Sequence, residues 1–191
     1  IAEGSLTAYT AAQAIDEAFI TPMTMKEIEV RGGARTDTMK MSRPDPPYEE
    51  FDTIIAKEFV RDDVIGYRLK EDWFFDKETS TMQVRIMGIA PLMDIIDENG
   101  VNRGTQALFW IYYPDARKYL VKKEVFNSSN DAIRLSWDDL LEMRVFSSYI
   151  VKESNVFDRR IEDYAHGLDA LYESERIKDE IFNFEHDLWS Y

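Results

Sequence analysis

From Ile65 the odd positions run Ile65, Tyr67, Leu69, Glu71, Trp73 and Phe75, while Gly66, Arg68, Lys70, Asp72, Phe74 and Asp76 fall between them. Period two with one polar face predicts an antiparallel strand over about 64–76. After the turn signal Glu78-Thr79-Ser80, Met82, Val84 and Ile86 alternate with Gln83 and Arg85, which predicts a second strand over about 82–90. Asp97-Glu98-Asn99-Gly100 then offers an Asn-Gly pair suited to a tight hairpin. Beyond it, Leu108-Phe109-Trp110-Ile111-Tyr112-Tyr113 is apolar on both faces, so the third strand, about 106–113, is expected to be central and covered on both sides.

Helical patterns flank this meander. Asp45 before Pro46 and Glu49-Glu50 reads as a capped start, followed by the stripe Tyr48, Phe51, Ile55 and Phe59. Ser136-Trp137-Asp138-Asp139 resembles a capping box with Asp in place of the longer Glu, and would turn Leu140, Leu141 and Val145 to the core. Pro114 to Lys123 fits a short helix through Ala116, Tyr119, Leu120 and Lys123 better than it fits a strand. A C-terminal helix over about 168–189 carries Ile177, Ile181, Phe184 and Leu188 at spacings of four, three and four. Elsewhere the expectations are a weak helix over Thr10 to Phe19, a short edge strand over Met25 to Val30 and a loop from Gly32 to Pro47, with Arg31-Gly32-Gly33 as a plain turn. A further strand is expected within Phe146 to Val151. The fold class expected is α+β: a core domain over 1–167, and the helix of 168–191 packed on it or on a partner.

Composition narrows the function. The 191 residues are 45% hydrophobic and 13% aromatic, enough for a real core. A net charge of −14 without a basic stripe argues against nucleic acid as a partner. There is no Cys, hence neither a disulfide framework nor a thiolate site. No apolar run approaches the roughly 20 residues of a membrane span. The chain opens at Ile1 with neither an initiator Met nor a signal-peptide pattern, which reads as a processed or trimmed chain.

Chemistry-bearing motifs are few. His166 lies near Asp163 and Asp169, and His186 between Glu185 and Asp187, but no His-x3-His or His-Glu-x2-His spacing joins them. In a chain so rich in acids such neighbours arise by chance. Glu71 with Asp94 can be imagined as a glycosidase-like pair, although only separation in space defines such a site. Asp97 to Asn102 has oxygen ligands beside a Gly without the calcium loop's length or its closing Glu. Asn127-Ser128-Ser129 matches the N-glycosylation triplet, which has meaning only in a eukaryotic secretory route. Phosphate-loop, dinucleotide and nucleophile-elbow motifs are absent, and no cofactor is expected. Trp73-Phe74-Phe75 places large apolar groups on both faces of one strand, to be covered by the chain itself or by a partner.

Several runs in fixed order resemble one family. They are Glu3-Gly4-Ser5-Leu6-Thr7-Ala8-Tyr9, Gly66 through Asp76, Arg85-Ile86-Met87-Gly88-Ile89-Ala90-Pro91 and Phe109 through Pro114, then Val125-Phe126-Asn127, Ser136 through Asp139, Phe146 through Asn155 and Phe184 through Trp189. Together they resemble the gliding-motility protein family GldN, called PorN in non-gliding relatives, the PorN form being the nearer. The resemblance implies a non-enzymatic, periplasmic component of the type IX secretion system. Such a subunit builds a ring under the outer membrane with a PorK/GldK-type lipoprotein and contacts the periplasmic part of a PorM/GldM-type inner-membrane protein. Family members continue upstream with a signal peptide and an arm, whose contacts cannot be carried onto this chain.

A ring subunit must present unlike surfaces, and the residues inferred here for partner contact are Trp73, Phe74, Phe75, Ile177, Ile181, Phe184 and Leu188. The alternative, a carboxylate-dependent hydrolase acting on surface glycans, requires a cleft holding two acids about 5 to 10 Å apart, at least one of them desolvated.

Overall fold

A computed structural model describes residues 6–11, 18–42, 50–57, 59–97, 100–126 and 134–188. Among them the chain is α+β, with an antiparallel sheet of six strands. These are β1 (Ala8–Tyr9), β2 (Pro22–Met23), β5 (Val64–Asp76), β6 (Thr81–Ile96), β7 (Asn102–Ala107) and β8 (Trp110–Tyr112). Their order is β2-β1-β8-β6-β5, with β7 also on β6. β3 (Arg35–Ser42) and β4 (Glu50–Lys57) form a separate ribbon, as do β9 (Glu124–Val125) and β10 (Leu135–Ser136). The helices are α1 (Met25–Arg31), α2 (Tyr113–Leu120), α3 (Trp137–Glu142) and α4 (Leu168–Leu188).

The first two predicted strands are present, the second running beyond 90 to Ile96. β8 is central, between β1 and β6, as its two apolar faces require. The single strand expected over 106–113 is instead two, separated at Leu108-Phe109. At constant register from Ile89↔Ile111, Leu92 would face Leu108, yet it faces Ala107. Pro91 is the reason: its carbonyl accepts from Leu108 N–H at 2.9 Å, but it has no N–H to return, so the ladder slips by one residue there. Tyr113 already begins α2, the helix favoured for 114–123.

The chain divides into two compact units, Ile1–Lys70 with Met87–Asp115, and Glu71–Ile86 with Ala116–Tyr191. In the first, Ala90, Ala107 and Trp110 are buried, with Tyr9, Ala11, Phe19 and Leu92 packed on them. Phe19 meets Tyr9, Trp110 and Tyr112 edge-on at 5.8, 6.2 and 5.5 Å. Its ring lies so close over Gly88 that an added Cβ there would be 2.4 Å from Phe19 Cζ. Arg31, at the end of α1, donates to the carbonyls of Ala107 (3.1 Å) and Ala11 (2.9 Å), tying the helix to the strands. In the second unit Ile86, Ala116, Leu141, Ile161 and Ile177 are buried.

Four local expectations are corrected. Met25 to Arg31 is helical, because Thr24 and Glu27 form a capping box: Thr24 N–H donates to Glu27 Oε2 at 2.7 Å, and Glu27 N–H to Thr24 Oγ1. The loop of 32–47 contains β3, and the helix expected after Asp45 is β4 over 50–57, paired from Ser42↔Glu50 to Arg35↔Lys57. Phe51, Ile55 and Phe59 are spaced by four, a spacing that is also even and so fits a strand face equally well. The proposed cap at Asp45 lies outside the described residues, as does most of the helix expected over 10–19. Phe146 to Val151 has no regular secondary structure. Its backbone is satisfied otherwise, Ile150 N–H donating to Ser174 Oγ at 2.7 Å and Val151 C=O accepting from Ile161 N–H at 3.0 Å.

Candidate docking surface

α4 carries two apolar stripes on opposite sides. Ala170, Ser174, Ile177 and Ile181 recur at i, i+4, i+7 and i+11 and face inward, with Ser174 2% and Ile177 3% exposed. The serine belongs in that stripe because its hydroxyl receives Ile150 N–H, and Lys178 Nζ donates to Ser148 C=O at 3.2 Å beside it. The same stripe continues to Phe184, which is 54% exposed, so the last turns of α4 outrun the core of their own unit. On the far side a shorter stripe of Leu168, Leu171 and Tyr172 covers the first turns, and Phe182 stands apart from it beyond Glu175, Lys178 and Asp179. Leu168 is 69%, Tyr172 70% and Phe182 67% exposed, whereas a helix serving only its own core would carry polar groups there.

Before α4 the chain forms a braced loop. Asn155 Nδ2 donates to the carbonyls of Glu153 (3.0 Å) and Arg159 (2.7 Å), while its Oδ1 accepts from Arg159 N–H at 2.9 Å. Asp158 N–H closes the turn on Asn155 C=O, its carboxylate meets Lys152 Nζ, and its φ of 53° is one that Asp tolerates better than most residues. At the tip stand Val156, 97% exposed, and Phe157, 73% exposed. The Arg159 guanidinium stacks on the rings of Phe157 (4.7 Å) and Tyr164 (5.8 Å) and has no carboxylate at ion-pair distance among the described residues. Tyr164 OH donates to Glu173 Oε1 of α4, and Arg176 binds both Glu173 and Glu180. Desolvation, with the Glu173 carboxylate next, raises the Tyr164 pKa, while the Arg176 hydrogen bond chiefly lowers that of Glu173.

The residues inferred for partner contact divide. Trp73 and Phe74 are exposed at the hairpin tip and Phe75 is half-buried, with Arg144 stacked on Trp73 and Arg85 on Phe74. Ile177 is buried within the chain, Ile181 is half-buried and Phe184 exposed; the Leu188 side chain lies outside what is described. Val156 and Phe157 were missed. Their signal in the sequence is an apolar pair with no periodic continuation, set between Ser154-Asn155 and Asp158-Arg159.

The acid-base candidates are dispersed or otherwise occupied. His166 and His186 are exposed. Glu71 accepts from Arg144 and from Trp73 Nε1, which spends it as a structural anion, and Asp94 sits in β6 opposite Thr105. Asp97 accepts from Val101 N–H and Arg103, completing a hairpin in which Gly100 has φ 76°. Asn127 lies outside the described residues, and among those described no group of three potential ligands is placed to hold a metal.

Compared with protein-family models, residues 1–190 match the family described as Gliding motility associated protein GldN. No curated protein matches the chain.

Proposed function

The chain belongs to the GldN family, a component of the gliding-motility and type IX secretion machinery, and we propose that within it the chain is a non-enzymatic structural subunit. In this reading it sits in the periplasm and builds a ring with a PorK/GldK-type outer-membrane lipoprotein. It also meets the periplasmic part of a PorM/GldM-type inner-membrane protein. The observation that carries the reading is the pair of opposed stripes on α4, one used inside the chain and one left in water. A helix with two apolar sides is a poor design for a lone protein and a sound one for a subunit that must present unlike surfaces. No helix among the described residues is long and apolar enough to cross a membrane.

We assign the lipoprotein contact to Trp73, Phe74 and Phe75 at the hairpin tip, and to Ile181, Phe184 and Leu188 where α4 leaves its core. The net charge of −14 suits a basic partner and restrains aggregation before assembly. The hydrolase alternative has no observation in its favour, since Glu71 is committed to Arg144.

The test is size-exclusion chromatography with light scattering on the chain alone, on the chain with its lipoprotein, and at two salt concentrations. The expected result is a small species alone and a stable complex of far higher mass with the lipoprotein, weakened by salt. Large rings formed by the chain alone, or failure to bind the lipoprotein at any salt, would sink the reading.

A further inference from the structure

We propose that the braced loop bearing Val156, Phe157 and Arg159 docks on the outward stripe of α4 of a second copy of this chain. The inference rests on the ring-subunit reading and names the contact between neighbouring copies. Three observations lead to it. The loop is held rigid by Asn155 and by the Lys152–Asp158 pair, yet its tip exposes Val156 more than any other large apolar side chain described. A tip ordered in advance loses little entropy on docking, so the loop is built as an insert for an apolar surface.

Charge then selects the occupant. Arg159 is stacked beside Phe157 without a carboxylate partner among the described residues, in a chain with 37 acidic residues against 23 basic ones. An apolar and cationic insert calls for an apolar, acidic receptor. This molecule has one: Leu168, Leu171 and Tyr172 lie exposed within two turns of Glu175, whose charge is met only by Lys178 at 3.7 Å among the described residues.

The two patches are also on different sides of α4. Tyr164 brings the loop to Glu173, on the flank of the inward stripe, whereas Leu168, Leu171 and Glu175 lie across the helix from Ile177. Insert and receptor are thus distinct surfaces, as repeating contact between copies requires. Two rings and three aliphatic groups, counted over both partners, bury on the order of 600 Å². That is short of the roughly 1,600 Å² in total of a standard stable interface. The contact is therefore weak between free chains and becomes firm when a scaffold raises the local concentration.

The absence of Cys permits a clean test. Phe157→Cys and Tyr172→Cys are made in separate full-length chains, mixed and oxidised, and compared with each variant alone; Val156→Cys with Leu171→Cys is a second pair should either aromatic replacement disturb folding. The expected result is a cross-linked dimer enriched in the mixture over either single variant. Arg159→Glu in the Phe157→Cys chain should reduce the yield about tenfold, and Glu175→Arg in the Tyr172→Cys chain should restore it. Equal yields in all three samples, no cross-link, or insensitivity to Arg159→Glu would overturn the proposal. Loss of lipoprotein binding on Val156→Asp, with no cross-link between copies, would overturn it in favour of the lipoprotein as occupant. Cross-linking of the chain alone does not depend on the lipoprotein complex, so either reading can fail without the other.

Discussion

Arg144 and Glu71 lock the hairpin tip to the end of α3 through two parallel bonds, Nη1 to Oε1 at 2.8 Å and Nη2 to Oε2 at 3.2 Å. The guanidinium is also stacked between Trp73 (5.4 Å) and Phe146 (5.3 Å), and Trp73 Nε1 returns to the same carboxylate. Arg144 occupies an unusual backbone position for this work. Its φ is 55°, at the site just past the α3 C-cap where Arg144 N–H reaches Leu141 C=O and Val145 N–H reaches Leu140 C=O. That arrangement is ordinarily closed by glycine, and a side chain there costs roughly 1 kcal/mol.

Two replacements at this position separate backbone from side chain. Arg144→Ala keeps the left-handed cost and loses the clasp, and should destabilise by about 2–3 kcal/mol. Arg144→Gly loses the same contacts but relieves the backbone, so its unfolding midpoint in urea should lie above that of Arg144→Ala by about 1 kcal/mol equivalent. Equal midpoints would show that the backbone carries no strain.

Gly88 is required by Phe19. Gly88→Ala would place a Cβ 2.4 Å from Phe19 Cζ and 3.2 Å from Trp110 Cε3, so the aromatic cluster must open. The expected loss is about 1–3 kcal/mol, read by thermal unfolding, with a change in Trp fluorescence as Phe19 leaves Trp110. A neutral variant would mean that Phe19 does not rest on Gly88 in solution.

Asp138 is nearly buried, its side chain 8% exposed, and Arg117 meets it with bonds of 2.9 and 3.0 Å. Arg117→Met should cost about 2–3 kcal/mol by leaving that carboxylate without its main counter-charge, at the low end because Arg117 is half in water. Arg117→Lys should recover only part of this, since an ammonium cannot make the two-pronged contact. Full recovery by Lys in chemical denaturation would reduce the pair to simple charge attraction.

Acid should loosen the two capping boxes. Bonds from the Ser136 hydroxyl and backbone N–H lower the Asp139 pKa below its usual 3.8, and those from Thr24 lower Glu27 below 4.5. A depressed carboxylate stabilises the fold fully above its unfolded value, and that contribution fades as pH falls through the folded one. From these groups the melting temperature should therefore hold steady from neutral pH to about 4.5, then decline below it. Ser136→Ala should lower it by about 1 kcal/mol equivalent at neutral pH and make the acid decline shallower. An unchanged acid slope in Ser136→Ala would remove Asp139 from the account.

Period two over 64–76 and 82–86, the capping box at Ser136 and the long α4 stripe were legible because each is a local pattern, decided by residues within a turn or two of one another. The several distinct runs in fixed order likewise carried the family, since order along the chain is a property of sequence alone. What the sequence left open depended on distant partners. Phe51 and Ile55 suit helix and strand alike until Arg35 to Ser42 pairs with them, and Phe146 to Val151 resembles a strand until Ser174 and Ile161 take up its backbone groups. The docking surface shows the same limit. The spacing of Ile177, Ile181 and Phe184 announces one stripe, but only packing buries the first, leaves the last in water and sets Val156 and Phe157 at a rigid tip, because burial is decided by what else arrives in space.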